Sequence, residues 1–490
     1  MKRQRLIILI TAIIIYFILV AVVWDYSIDD AFVTFRYAEH LADGHGLVFN
    51  IGEKPVEGYS NFLWLLILAL VYKLGLATYL TAKILGIALF LVSALIWFFL
   101  FCRTEGYLWL IGPLLLITPY TSFWAVSGLE LGLHAMLLAG AVFSLFRKSL
   151  WSIPFTSALV MTRSEGAVIG LILIMVRWLT DREGKKAATK LYIINLIFLV
   201  ITFGALAIFR LSVFGYPMPN TFYAKSSFSI ISLIELGRPL LYFLPLTVLF
   251  LYGLIPLIRK SGETSEAATA IFVWLGMAVI SCLASPVMNF NSRYMIAFLP
   301  FFLMVALMSL EHFSRPNVIR AFLMVSVISL LIPISAVLQT VSQEREIMAA
   351  QSNLIDYLKR QPDEIMVSLT DVGRVPYYTV AKYNDIWGLV SEDVAHRGFN
   401  ALREYLRFPD YFILVGYMGN DGPRLRFGRE RLITRNRGFK QAYRLTGAGL
   451  PSDARLETPG YYYLIFKKEE RAVDSLLELY PINPVKEVIR

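Results

Sequence analysis

The chain has 490 residues, 57% of them apolar and only 17% charged, with a formal net charge of +10. An ordinary soluble domain carries about 25% charged residues, and runs of roughly 20 apolar residues recur from Leu6 to about Thr340, which excludes a water-soluble globular protein. The positive charge is not a nucleic-acid footprint either, because Lys and Arg lie in short clusters between apolar runs, as the positive-inside rule requires.

The N-terminus reads Met-Lys-Arg-Gln-Arg and continues into an apolar run, Leu6 to Val23, followed by Trp24 and Tyr26 as interfacial anchors. The run is too long for a signal peptide and lacks a small-x-small cleavage site, so it predicts an uncleaved anchor with a cytoplasmic N-terminus. Further spans are expected at 79–101, 107–125, 130–146, 191–211, 239–258, 267–285, 294–310 and 320–340. The stretch 60–76 is short, and 150–176 is interrupted by Arg163-Ser164-Glu165-Gly166. Arg103, Arg147-Lys148, Arg177 to Lys190, Arg259-Lys260 and Arg315 to Arg320 all become cytoplasmic if 60–76 is re-entrant or interfacial and 150–176 is two half-length helices bent at Arg163. That threading places 25–58, Ser127–Glu130, Arg163–Gly166, Gly215–Pro239 and Asn289–Arg293 on one outer face.

After Thr340 the hydropathy drops, and short apolar runs such as Glu364–Leu369, Asp410–Val415 and Tyr461–Phe466 alternate with polar segments. The expected fold is an α-helical polytopic membrane protein with about 10–12 helices in the membrane and a small C-terminal α/β extracytoplasmic domain. The expected domains are a membrane domain, 1–340, whose first outer loop is 25–59, and a soluble domain, 341–490. Cys102 and Cys282 make neither a metal spacing nor a disulfide framework.

Seven polar segments stand out. Asp29-Asp30 open a helix carrying Phe32, Phe35, Ala38 and Leu41 at helical spacing and ended by Asp43-Gly44-His45-Gly46. Asp29 could cap that helix and Asp30 favour its positive end; alternatively one of them is a general base, or both hold a divalent cation. Glu57, Tyr59, Asn61 and Trp64 follow; from composition Tyr59 and Trp64 read as an aromatic belt and Glu57 as a solvated loop charge. Glu130, Arg163 and Glu165 are charges within apolar surroundings, where each costs about 2.5–3.5 kcal/mol, so they should pair at a kink or line a wet cavity. Pro219-Asn220-Thr-Phe-Tyr223-Ala-Lys225 and Asn291-Ser292-Arg293-Tyr294 offer Lys225 and Arg293 to a phosphate and Asn220 to a hydroxyl. Thr370-Asp371-Val372-Gly373 follows a strand-like run; it is either an Asx turn with Gly373 at positive φ or a loop returning polar groups to the membrane cavity. No GxxxxGK[ST] loop, no GxGxxG after a strand and no HExxH motif occurs, so no nucleotide or zinc site is evident.

Taken in order, Asp29-Asp30-Ala-Phe-Val-Thr-Phe-Arg36-Tyr-Ala, Gly44-His-Gly-Leu-Val-Phe-Asn50, Val56-Glu57-Gly-Tyr-Ser-Asn-Phe-Leu-Trp64, Ser-Gly-Leu-Glu130, Arg163-Ser-Glu-Gly166, Pro219 to Lys225, Asn-Ser-Arg293-Tyr and Thr370-Asp-Val-Gly373 resemble a bacterial family of GT-C glycosyltransferases. The pattern is similar to the terminal β-(1→2)-arabinofuranosyltransferases of mycobacterial cell walls and spans nearly the whole chain. Ser164 stands where relatives usually carry Pro, and Leu131 where Thr is common.

The resemblance implies a glycosyltransferase moving a hexose or pentose, arabinofuranose in the similar enzymes, from a polyprenyl-phosphate donor to a glycan or glycolipid acceptor of the cell envelope. Its site faces away from the cytoplasm, in the plasma membrane. Asp29 or Asp30 would act as base in an inverting reaction. Lys225, Arg293, Arg163 and, more weakly, Arg36 would meet the donor phosphate. Glu57, Tyr59, Asn61, Glu130, Glu165, Asn220, Tyr223 and Asp371 would line the cavity. The other readings are a sugar-lipid transporter, against which stands the lack of inverted repeats, and a non-catalytic assembly protein of envelope glycans.

Overall fold

The computed structural model describes residues 3–181, 185–225, 240–259, 265–283, 290–419, 422–435, 437–449 and 461–469. The expected outer loop to Pro239, the spans 239–258 and 267–285, the pair Arg259-Lys260 and the C-terminal domain beyond Glu469 lie partly outside these residues. The chain divides into two compact units. The first comprises Met1–Ser27, Ser60–Pro217 and Lys225–Val341; the second comprises Ile28–Tyr59, Met218–Ala224 and Ser342–Arg490. The loop 28–59 falls in the second unit.

The first unit is helical. Its leading helix, α1, is Arg3–Val22; α2, Asp29–Ala42, belongs to the second unit; then come α3 (Phe62–Lys73), α4 (Thr78–Phe101), α5 (Ile111–Ile117), α6 (Pro119–Ala125), α7 (Leu131–Phe146), α8 (Ser152–Thr162), α9 (Gly166–Thr180) and α10 (Lys185–Phe214). Among the described residues four helices are long and apolar enough to cross a membrane: Arg3–Val22, Thr78–Phe101, Ala188–Phe214 and Pro316–Leu358. A fifth forms if Leu108–Ile117 and Pro119–Ala125, bent by 62°, count as one. The bend follows from Pro119: the residue before a proline is driven out of the helical region, and Thr118 is extended at φ −75°, ψ 122°. The remaining apolar helices are shorter, α3 and α7–α9 among them.

The expected break at Arg163 is present. Arg163 is extended at φ −152°, ψ 148° between α8 and α9. A Cβ on Gly166 would stand 2.0 Å from the Leu159 carbonyl oxygen, so only glycine lets the two half-helices meet there. Likewise a Cβ on Gly86 would lie 2.3 Å from Ala125 O and one on Gly132 2.7 Å from Gly86 O. Helices α4, α6 and α7 thus approach through small residues, the usual solution where lipid supplies no hydrophobic drive between helices.

In the second unit a six-stranded mixed sheet runs β2-β1-β3-β6-β5, with β4 also on β3. The strands are β1 (Met366–Leu369), β2 (Lys382–Asp385), β3 (Tyr411–Gly419), β4 (Gly422–Leu425), β5 (Tyr443–Gly449) and β6 (Tyr462–Lys468). β1 pairs in parallel with β2 and β3, while β6 is antiparallel to β3 and β5. Phe412, Ile413, Leu414 and Val415 of β3 are all fully buried, as a strand covered on both faces must be. Ile386, Phe412, Leu414, Ile433, Phe439, Ala442 and Tyr443 form its core. β1 delivers Thr370–Gly373 at its carboxyl end, where open α/β sheets place their functional loops.

Candidate functional site

Within the second unit, distant motifs converge on Asp29. Helix α2 is N-capped by Ile28, without a side-chain cap bond, so Asp29 is its first residue rather than its cap. Its carboxylate instead accepts three N–H donors: Gly373 N–H onto Oδ2 at 2.9 Å, and Arg374 N–H and Gln351 Nε2 onto Oδ1 at 2.8 and 2.9 Å. Gly373 has φ −92°, so the expected left-handed turn is absent; glycine is required for space. A Cβ there would stand 2.0 Å from Asp29 O and 2.5 Å from its Cγ.

Asp371, two residues before Gly373, is held from β6 and the residue preceding it. The hydroxyls of Tyr461 and Tyr463 both donate to its Oδ2, Tyr463 at 2.7 Å. Burial, then Asp371, then Asp30 push the Asp29 carboxyl up to about 7, against the opposing pull of the Arg374 N–H and Gln351. Asp371 is itself raised by burial, opposed by the two tyrosines and Arg426. Glu344, beyond the apolar part of helix Ile334–Leu358, is pushed up to about 8 by burial and by Asp29 and Asp371. A carboxyl poised near neutrality is what proton abstraction at physiological pH needs.

The rest of the unit's motif residues fasten this arrangement. Arg36 gives its donors to carbonyls, Phe49 O at 2.8 Å, Thr379 O at 3.3 Å and Pro376 O, and lies over the Phe49 and Tyr383 rings. Asn50 copies a strand against the edge of β2, donating to Tyr383 O at 2.8 Å and accepting Tyr383 N–H at 3.1 Å. Phe32 and Phe35 pack on Tyr377, with ring centroids 5.5 and 6.0 Å apart. Glu57 is buried and its carbonyl accepts the Asn220 N–H at 3.0 Å, while Asn220 Nδ2 donates to Gly388 O at 2.7 Å and Leu389 O at 3.0 Å. Tyr59 sits edge-on to Tyr37 at 5.0 Å, and Tyr223 lies 4.2 Å from the His396 ring.

Within the first unit a second polar cluster forms. Arg163 bridges two carboxylates, NH1 to Glu130 and Nε to Glu165, each at 2.5 Å. Asn61 Nδ2 donates to the other Glu130 oxygen at 2.8 Å. Arg293 follows two left-handed residues, Asn291 at φ 46° and Ser292 at φ 59°, a strained turn. Trp124 Nε1 to Asn291 O and Asn291 Nδ2 to Thr340 Oγ1, both 2.8 Å, pin that turn, and Arg293 lies 5.8 Å from the Trp124 ring centroid. Lys225 is the last residue of the short helix α11, Asn220–Lys225, and is assigned to this unit.

Comparison with known proteins follows from this architecture. ArnT from Cupriavidus metallidurans bound to undecaprenyl phosphate aligns over 94% of this chain and 97% of that one, with a TM-score of 0.56 and 12% identity. The apo state of the same protein aligns over the same shares at 0.55 and 13%. The fold is ArnT-like. Residues 340–466 match a family model described as a domain of unknown function (DUF8728). No curated protein matches the chain.

An ArnT-like fold together with several apolar helices is that of a multi-pass membrane protein. Sequence reasoning missed Gln351, Tyr461, Tyr463 and Glu344 around Asp29, and His134 beside Glu130. The only signal for the tyrosines was the i, i+2 spacing that puts both on one face of a strand. Among the described residues no group of three or more His, Cys, Asp or Glu side chains could hold a metal ion. Asp29, with three of its roughly four acceptor positions taken, does not fit the cation expected on Asp29-Asp30.

Proposed function

We propose that the chain is a membrane glycosyltransferase. It moves a sugar, with arabinofuranose the first candidate, from a polyprenyl-phosphate donor to a glycan or glycolipid acceptor of the cell envelope on the outer side of the membrane. The ArnT-like, GT-C fold supports a lipid-linked donor, since one ArnT structure holds undecaprenyl phosphate.

The observation that carries the chemistry is the Asp29 carboxyl, oriented by three N–H donors and raised to about 7. In this reading Asp29, with Asp30 beside it as the other candidate, takes the proton of the acceptor hydroxyl. That oxygen bonds to the anomeric carbon as the anomeric carbon–phosphate oxygen bond breaks. The electron pair leaves with the polyprenyl phosphate, and the configuration inverts. The transition state is oxocarbenium-like, and the departing phosphate needs positive charge more than a proton. Lys225 and Arg293 are the foremost candidates for that charge. Arg163 is a weaker one, since two carboxylates already engage it. Arg36 acts by holding the 376–379 turn against α2.

Asp29→Asn and Asp30→Asn, purified and checked for folding, test the base. The true base should lose about 10²–10⁴-fold in transfer. Loss in Asp30→Asn alone moves the role to Asp30, and wild-type turnover in both removes it from the pair.

A further inference from the structure

His134 is among the most unusual side chains of the first unit. It is 1% exposed, yet neither ring nitrogen has a hydrogen-bond partner. Buried polar atoms are nearly always paired, and an unpaired one is costly. A leucine would be the cheaper occupant at this position of α7, where the Phe298 ring lies 6.0 Å away.

The ring's surroundings suggest what it pairs with. His134 and Glu130 stand at i, i+4, so they share one face of the helix, and the backbone N–H of His134 donates to the backbone carbonyl of Glu130 at 2.9 Å. Glu165, Arg163 and Glu130 all act electrostatically on the imidazole. Around it the ionic demands are already met: Arg163 divides its guanidinium between Glu130 and Glu165, Arg293 acts on Glu130 through its charge, and Asn61 takes the second Glu130 oxygen. An anion entering here would have to displace a carboxylate from Arg163 and then face the other. A hydroxyl group meets no such opposition. It can donate to a carboxylate, donate to or accept from a neutral imidazole, and accept from an imidazolium.

We propose that His134 binds a hydroxyl of the donor's sugar, and that the Asn61–Glu130–His134–Arg163–Glu165 cluster is a polyol site rather than a phosphate site. The inference rests on the lipid-linked donor argued above and names the part of it that this cluster takes. His134 is then a specificity-determining residue that touches substrate without entering the bond changes.

The full-length chain in nanodiscs, titrated with decaprenyl phosphate alone and with the same lipid carrying arabinofuranose, mannose or glucose, tests this. The wild type should bind one sugar-bearing lipid at least about tenfold more tightly than the bare lipid. His134→Leu should lose that preference, bind bare decaprenyl phosphate as the wild type does, and unfold no earlier, because an unpaired buried polar group is gone. His134→Gln, which keeps a donor and an acceptor, should retain most of the preference. An undiminished preference in His134→Leu overturns the inference, as does equal loss of bare and sugar-bearing lipid, or a wild type that binds all four alike. A wild type that binds none of the four overturns the donor reading itself, and the inference with it.

Discussion

Gly373→Ala isolates the joint on which the Asp29 arrangement depends. The new methyl would stand 2.0 Å from the Asp29 backbone oxygen and 2.5 Å from its Oδ2. The nearer obstacle is main chain, so the loop rather than a side chain must retreat. Retreat lengthens two N–H bonds to the carboxylate, from Gly373 at 2.9 Å and Arg374 at 2.8 Å. Hydrogen bonds to charged groups contribute about 1.5–3 kcal/mol each. Losing both sets an upper limit of about 3–6 kcal/mol, and partial relaxation leaves about 3 kcal/mol as the expected loss. At about 2–4 °C per kcal/mol for a unit of this size, the unfolding temperature should fall by on the order of 10 °C. Displacing the carboxylate by about 1 Å should cost transfer about 10²-fold. Differential scanning fluorimetry and a transfer assay on purified protein measure both. Gly204→Ala is the control: nothing lies within 4 Å of its Cβ position in α10, so it should be neutral or slightly stabilising. Wild-type stability and activity in Gly373→Ala would refute the proposed joint.

Transfer should rise with pH through about 7, as Asp29 deprotonates, and a rate independent of pH from 5 to 9 would speak against it. Stability should move the opposite way. Asp29, Glu344 and Glu430 are raised to about 7, 8 and 7 in the folded chain, so between about pH 4 and 8 the unfolded chain gives up its protons first. The unfolding temperature should therefore fall across that window and level off above it; a rise would contradict the assignment. Tyr463→Phe removes a donor to Asp371 and should favour its neutral form. With less charge opposite Asp29, the acidic limb of the rate profile should shift to lower pH. Glu130→Gln leaves Arg163 with one carboxylate in a buried setting and should destabilise the first unit by about 3 kcal/mol, read by thermal unfolding. Asn50→Ala strips the strand-like pair from Tyr383 and should cost about 1–3 kcal/mol, with faster amide exchange in β2.

The features legible in the sequence were those with a local physical cause. Charges in an apolar run announced the break at Arg163; the bend at Thr118, inside the span expected at 107–125, was not anticipated, although the proline after it is its cause. The Asp29-Asp30 pair was visible because two adjacent acids beside an apolar run are costly. Its partners were not, because Gln351 and Arg374 reach it from hundreds of residues away and each is ordinary where it stands. Gly373 was noticed for the wrong reason: a glycine signals special backbone or close approach, and sequence does not distinguish them. The hydropathy drop at Thr340 marked the end of an apolar surface but not of a helix, since Gln, Glu, Arg, Met and Ala carry Ile334–Leu358 onward. His134 escaped notice because a lone histidine on an apolar helix has no distinguishing spacing; only its unpaired nitrogens set it apart.

The central claim is transfer of one sugar from a polyprenyl phosphate to an envelope glycan, and mass spectrometry of those glycans tests it most directly. Cells lacking the protein should show glycans short by one sugar at a defined position. Wild-type protein should restore them, and a chain carrying both Asp29→Asn and Asp30→Asn should not. Identical glycans in all three strains would contradict the account.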